Sequence, residues 1–241
     1  YWSIYFDDRG GDKALRFVMG KDVSFTNAIP AANWYHVAGT FDSTAVPRAK
    51  LYLNGNLVAD SGSALFNVSA NSLPMRIGAM HWTDTFGVGN DRLNGKADEV
   101  ELLSRALSAA EIQDIYNAGG AGKCRDCVTA PPNLINWWPG DGNTFDLAGG
   151  SNGTLQGGTL YGPGMVRQAF SFDGVDDYVG ISMPGINLTA GGRNTVNFWM
   201  YWRGDDVGPS GDGRMPFGFA EQYDLYLMQG SFGFNTGTSD I

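Results

Sequence analysis

The sequence is built almost wholly from short alternating runs, each closed by Gly, Asn, Asp or Pro within a few residues. Alternation of apolar and polar positions is the mark of strands that bury one face. "WYHVAGTF" (34–41) places Tyr35, Val37 and Phe41 on one side and Trp34, His36 and Thr40 on the other. "AKLYLNGNLVAD" (49–60) reads as a hairpin, with Asn54-Gly55 as a type I′ turn between Leu51-Leu53 and Leu57-Val58. "LPMRIGA" (73–79), "ADEVELL" (97–103), "NLINWW" (133–138), "QAFSFD" (168–173), "DYVGIS" (177–182) and "TVNFWMYW" (195–202) follow the same rule. With 35 glycines and 10 prolines in 241 residues, long helices have little room, while 43% hydrophobic content supplies a packed core. The expected class is all-β.

One helix interrupts this pattern. In "SAAEIQDIYNAGG" Ser108 is the N-cap and Glu111, three residues on, completes a capping box. Ala109, Ile112, Ile115 and Tyr116 form its apolar stripe, and Gly119 closes it, so a short helix is expected near 108–118, covering one end of a sheet.

Charge and composition exclude several function classes. A formal charge of −9, with no Lys/Arg cluster, repels a phosphate backbone and excludes nucleic acid as a partner. No apolar run is long enough to span a membrane. The only histidines, His36 and His81, lie far from Cys124 and Cys127, so a four-ligand zinc site is not expected. "CRDC" sits in linker composition and reads as a disulfide of an exported protein, or as two unrelated thiols. The sequence starts at Tyr1 without Met or a signal peptide and stops at Ile241 directly after a strand-like run, and it is read as a piece of a longer parent chain with other domains.

A Gly/Pro-rich stretch, "GGAGKCRDCVTAPPN" (119–133), marks a boundary. On either side lie matching hairpins: "SIYF" with "LRFVMG" (3–6, 15–20), and "DLYLMQGSFGFNTG" (224–237). The expected organisation is therefore the later part of one unit (1–119), a linker with the CxxC (120–132), and the earlier part of a second unit (133–241).

Taken in order, these segments resemble the laminin-G-like jelly-roll domain of the concanavalin A-like lectin/glucanase superfamily, in its tandem bacterial form. The later-half hallmarks are "WYHVAGTFD" (34–42), "LYLNGNLV" (51–58), "MRIGA" (75–79) and "LNGKADEVELLSRALSAAEIQDIYNAG" (93–119). The first-half hallmarks are "NWWPGDGNTFDLAGGSNGTL" (136–155), "GMVRQAFSFDGVDDYVGI" (164–181) and "VNFWMYW" (196–202). The resemblance implies an antiparallel β-sandwich of two curved sheets whose first and last strands are neighbours, so that "NLINWW" pairs with "ADEVELL". The two halves are then expected to close on each other as one circularly permuted sandwich, with one of the duplicated hairpins displaced; two separate half-domains are the alternative.

Four places offer chemistry. "WPGDGNTFDLAGGSNG" (138–153) presents Asp141, Asn143, Asp146 and Asn152 in one Gly-rich loop; it reads either as a calcium site or as a solvated Asx-turn loop. The resemblance favours a structural calcium at the sandwich rim. In "FSFDGVDDYV" (170–179) the aspartates first read as a hairpin turn. A period of two sends Asp176 and Asp177 to opposite sides, so the three are not expected to converge, and Asp173 alone is a candidate calcium ligand. In "ADEVELL" Glu99 and Glu101 share a face with Asp98 opposite, on what reads as a solvated edge; the Glu-x-Asp-x-(x)-Glu pattern of related glucanases is absent. "MHWTDTFGVGND" (80–91) carries an aromatic in a polar, Gly-rich loop, where a sugar stacks on the ring while Asp and Asn bind its hydroxyls. Trp82, Asp84, Asn90 and Asp91 are the carbohydrate-binding candidates.

The expectation is a non-catalytic module of a secreted or cell-surface protein, binding polysaccharide or glycoprotein glycan with structural calcium. A spacer repeat in a large adhesin and a divergent glycoside hydrolase are the alternatives.

Overall fold

The computed structural model describes residues 2–7, 14–18, 22–25, 29–63, 75–79, 92–121, 130–184, 192–204, 214–219, 223–228 and 231–235. Its strands before the 122–129 segment are β1 (Trp2–Asp7), β2 (Ala14–Val18), β3 (Asp22–Phe25), β4 (Trp34–Asp42), β5 (Ala49–Leu53), β6 (Asn56–Asp60), β7 (Met75–Ile77) and β8 (Asn94–Leu103). After it come β9 (Leu134–Trp138), β10 (Gly153–Gln156), β11 (Leu160–Pro163), β12 (Gln168–Asp173), β13 (Tyr178–Ile181), β14 (Arg193–Trp202), β15 (Arg214–Phe219), β16 (Tyr223–Met228) and β17 (Ser231–Asn235). The one α-helix among the described residues, α1, spans Ala109–Ala118.

Two sheets form, and both mix strands from the two sides of the 122–129 segment. One runs β11-β12-β8-β14-β4-β5-β6, with β9 on β8; the other runs β10-β13-β7-β15-β16-β17-β1-β2-β3. Every pairing is antiparallel except a short parallel contact of β1 with β16. β9 pairs with β8 through Val100↔Trp138 and Glu101↔Trp137, as the expected join of first and last strands requires. The decisive strand is β14, paired with β4 from Tyr201↔Trp34 to Arg193↔Asp42 and with β8 on its other side. The jelly-roll sandwich thus closes across the two halves. Neither duplicated hairpin is displaced, contrary to expectation: β16-β17 and β1-β2 lie side by side, with Ile4 opposite Phe234. Edge strands recruit partners, and two hairpins with free edges satisfy each other.

Alternation fixes which face is buried. Val37, Phe41, Leu51, Ile77, Val100, Leu102, Trp138, Phe170, Phe172, Val179, Val196, Phe198 and Phe217 meet between the sheets. The Asn54-Gly55 turn has both residues at positive φ, 50° and 76°, as a type I′ turn demands. The outer face of the eight-stranded sheet carries a second cluster, Ala38, Tyr52 and Leu103 under Leu107, Ile112 and Ile115, so α1 lies over this face rather than at a sheet end. Its capping box forms as expected: Ser108 N donates to Glu111 Oε2 and Glu111 N to Ser108 Oγ. Arg105 beside Glu111 holds that carboxyl down to about 2. Ala109, expected in the apolar stripe, is exposed.

Expressed alone, residues 1–121 lack β14 and leave β4 and β8 with open edges. That fragment, and residues 130–241 alone, are each expected to show no cooperative urea transition by circular dichroism, where the whole chain shows one. A cooperative transition in either fragment would refute the shared sandwich.

Candidate functional site

The strand that carries "ADEVELL" is not a solvated edge. β8 lies inside its sheet, between β14 and the pair β9 and β12, and Asp98, Glu99 and Glu101 are only 0%, 5% and 0% exposed. The expected face assignment also fails, for a definite reason. Between Asn197 and Trp199, β14 advances two residues while β8 advances three, from Glu101 to Asp98. The extra residue is a bulge with Glu99 at φ 54°. It resets the period, so Ala97 and Val100 both reach the inter-sheet core, and Asp98 and Glu101 fall on the same outer face.

Each of these acids is met by a donor. Trp137 Nε1 donates to Glu99 Oε2 at 2.8 Å, and Asn197 Nδ2 donates to Glu101 Oε2 at 2.7 Å. Asn197 Oδ1 in turn accepts from His36 Nε2, which fixes the proton on that ring nitrogen. The His36 ring packs edge-on against Trp199, and both approach Tyr116 of α1. Asp98 Oδ2 accepts from Val166 N in the loop between β11 and β12, while Oδ1 is buried without a hydrogen bond. Burial, opposed by that bond and aided by Glu99, pushes Asp98 up to about 8.

The Gly-rich loop joining β9 to β10 is organised by Asp146. Oδ1 accepts from Trp137 N, Ala148 N and Gly149 N, and Oδ2 accepts from Asn136 Nδ2 and Ser151 N. Burial pushes this carboxyl up, but the hydrogen bonds from Gly149, Trp137, Asn136 and Ala148 outweigh it and hold it below the ordinary range. Asn152 Oδ1 accepts from Asp146 N, Asn143 Oδ1 from Phe145 N, and Asp141 Oδ1 from Gln168 N. Each of the four residues thus has a side-chain oxygen engaged by a backbone donor of the loop or its neighbour, and Asp141 Oδ2 faces Arg167 at 3.8 Å.

Asp173, by contrast, stands in a cluster that period counting missed. One oxygen each from Asp173, Asp176 and Asp177 lie within 4.8 Å of one another. Residues 174–177 are not strand, and Gly174 sits at φ 82°, so a period of two does not apply between them. Trp82, Asp84, Asn90 and Asp91, and Cys124 with Cys127, lie outside the described residues. The residues that flank the Trp82 segment are described: Ala79 bridges Arg92, and Leu93 N donates to Gly78 O.

The comparisons agree with this architecture. Residues 1–113 match the laminin-G-type family model described as the concanavalin A-like lectin/glucanases superfamily. That part of the chain is similar to the laminin-G-like domains of the superfamily. The match ends inside α1, so the laminin-G-like segment contributes β1 to β8 and the remaining nine strands complete its sheets. Searches of curated proteins and of solved structures found no match. Among the described residues no helix is long and apolar enough to cross a membrane.

Two outcomes follow from the acids. Between the ordinary aspartate value and about 8, the unfolded chain has released the Asp98 proton and the folded chain has kept it. Stability therefore falls as pH rises through that window. Asp98→Asn, which keeps an acceptor for Val166 N, is expected to remove that loss and to be more stable than the parent at pH 8 in urea titrations; an unchanged pH dependence would refute it. Asp146 has the opposite sign: its contribution is complete above the ordinary aspartate value and is lost as pH falls through its depressed one. Asp146→Ala is expected to cost about 3 kcal/mol at pH 7, the scale of losing hydrogen bonds to a charged group.

Proposed function

We propose that this chain is a non-catalytic binding module of a secreted or cell-surface protein, taking polysaccharide or glycoprotein glycan as its ligand. The observation that carries the reading is the condition of the β8 carboxylates. A glycosidase needs two acids that reach the sugar, about 5 Å apart when configuration is retained. Asp98, Glu99 and Glu101 are buried and engaged by Val166, Trp137 and Asn197, which is the arrangement of a structural network. The match of residues 1–113 to a lectin and glucanase superfamily supports glycan binding, although a fold by itself does not fix a ligand.

In this reading the segment 80–91, tethered by the Ala79–Arg92 bridge, supplies Trp82 for stacking and Asp84, Asn90 and Asp91 for hydroxyl groups. Residues 1–119 and 133–241 are parts of two consecutive laminin-G-like units of a longer surface protein, joined by a linker in which Cys124 and Cys127 form a disulfide. Structural calcium belongs to the same reading.

A polysaccharide and glycan screen of the folded chain, run in calcium and again in chelator, tests it. Binding without hydrolysis is expected, weakened at least tenfold by Trp82→Ala. Hydrolysis abolished by Glu101→Gln would overturn the reading in favour of an enzyme. No binding in either condition would favour the spacer role.

A further inference from the structure

α1 covers only part of the outer face of the eight-stranded sheet. The pairing register sets Leu160, Ser171, Lys96, Tyr201 and Trp34 in one row across β11, β12, β8, β14 and β4. Directly paired residues share a face, and their chain neighbours Phe170, Ala97, Met200 and Tyr35 lie in the inter-sheet core, so the row points outward. Two residues along the strands, His36, Trp199 and Asp98 are buried, and Tyr116 of α1 approaches the first two. The row itself is left open: Leu160 is exposed and the other four are partly exposed.

Two features set this row apart. Trp34 and Tyr201 meet with ring centroids 5.6 Å apart and planes tilted by 58°, so the two rings open at an angle. Beside them stand two cations: Lys96, whose Nζ lies 5.9 Å from the centre of the Tyr201 ring, and Arg203. Both heads are held by neutral acceptors. Lys96 Nζ donates to Pro163 O; Arg203 Nη1 donates to Asn94 Oδ1 and Phe172 O, and Nη2 to Ser171 Oγ. Neither forms an ion pair with a carboxylate among the described residues, where the arginines in ion pairs are Arg105, Arg167 and Arg193. Burial, and then the Arg203 charge, push the Lys96 ammonium below its usual value, while Asp98 pushes it up. Asp98 keeps its own proton to about 8, so it supplies little negative charge at neutral pH. A chain of net charge −9 thus fixes two like charges side by side on an aromatic floor.

We propose that Trp34, Tyr201, Lys96 and Arg203 bind an acidic sugar, a pyranose ring that carries a carboxylate, as in a uronate polysaccharide. The C–H face of a sugar packs on an aromatic ring, and Trp34 and Tyr201 offer such rings at the surface. Its carboxylate meets the two cations. The Lys96 ammonium has donors left after Pro163, and the Arg203 guanidinium has donors left after its three bonds. Because neutral acceptors already fix both heads, little side-chain freedom is lost on binding. A neutral sugar would stack on the rings but leave both cations without a counter-charge. This site rests on the glycan reading, and adds to it a ligand charge and a surface formed by residues other than Trp82, Asp84, Asn90 and Asp91.

Calorimetric titration of the whole chain with short oligomers of galacturonate, glucuronate and mannuronate, each beside its carboxyl-reduced neutral form, tests the site. At least one uronate is expected to bind at least tenfold more tightly than its reduced form, with affinity falling as salt rises. Lys96→Met, which keeps the apolar stem, and Trp34→Ala should each fold normally by circular dichroism and weaken that binding at least tenfold. Equal binding of a uronate and its reduced form would overturn the site and leave the glycan reading intact. So would uronate binding that survives Lys96→Met and Trp34→Ala but is lost in Trp82→Ala. Absence of uronate binding by the parent chain overturns the site as well, and the neutral glycans of the screen then decide separately whether the glycan reading falls with it.

Discussion

The fold depends on β14 lying between β4 and β8. It carries Val196, Phe198, Met200 and Trp202 into the inter-sheet core and Asn197 and Trp199 to the outer face. Its two neighbours come from the other side of the 122–129 segment, and each is a long strand that would otherwise present an open ladder. The outer side matters as much as the inner one. Asn197 links His36 on β4 to Glu101 on β8, and Trp199 supports the aromatic contact with Tyr116 that helps seat α1. Core, polar network and helix are thus held by alternate residues of one strand.

That dual role explains why buried acids are tolerated on β8. Taking carboxylates out of water is costly, and it is sustained where each has a well-placed donor or keeps its proton. Glu99 and Glu101 have donors from Trp137 and Asn197, and Asp98 retains its proton to about 8. The return is register. A one-residue slip of β14 would turn Phe198 outward and move Asn197 away from both His36 and Glu101, so apolar and polar penalties oppose the same error. An apolar outer face would exert only half of that control.

Most of the fold was legible in the sequence because its signals are local. The strands were readable from alternation, the Asn54-Gly55 turn from the need for two positive φ values, and α1 from Ser108 and Glu111 three residues apart. What escaped was the behaviour of residues where a period changes. A glutamate is a poor candidate for φ 54°, so nothing in "ADEVELL" announced the bulge, and counting by twos past Glu99 put Asp98 on the wrong face. The partner of Glu99 was equally hidden, since Trp137 reaches it only after β9 has paired with β8. Period counting across 173–177 failed for the simpler reason that a turn has no strand period.

The two aspartate-rich turns show why composition cannot settle a metal site. The 141–152 loop has the longer set of oxygen-bearing residues and was the stronger candidate by that measure. Yet Asp146 receives five hydrogen bonds, three on one oxygen and two on the other, so its charge is already solvated by the protein. The 173–177 turn is shorter and looks like ordinary hairpin chemistry, but it ends in a buried oxygen with no donor and two neighbours of its own sign. A cation stabilises a site in proportion to the charge the protein has left uncompensated. By that criterion the loop with more candidate ligands has less uncompensated charge than the hairpin turn.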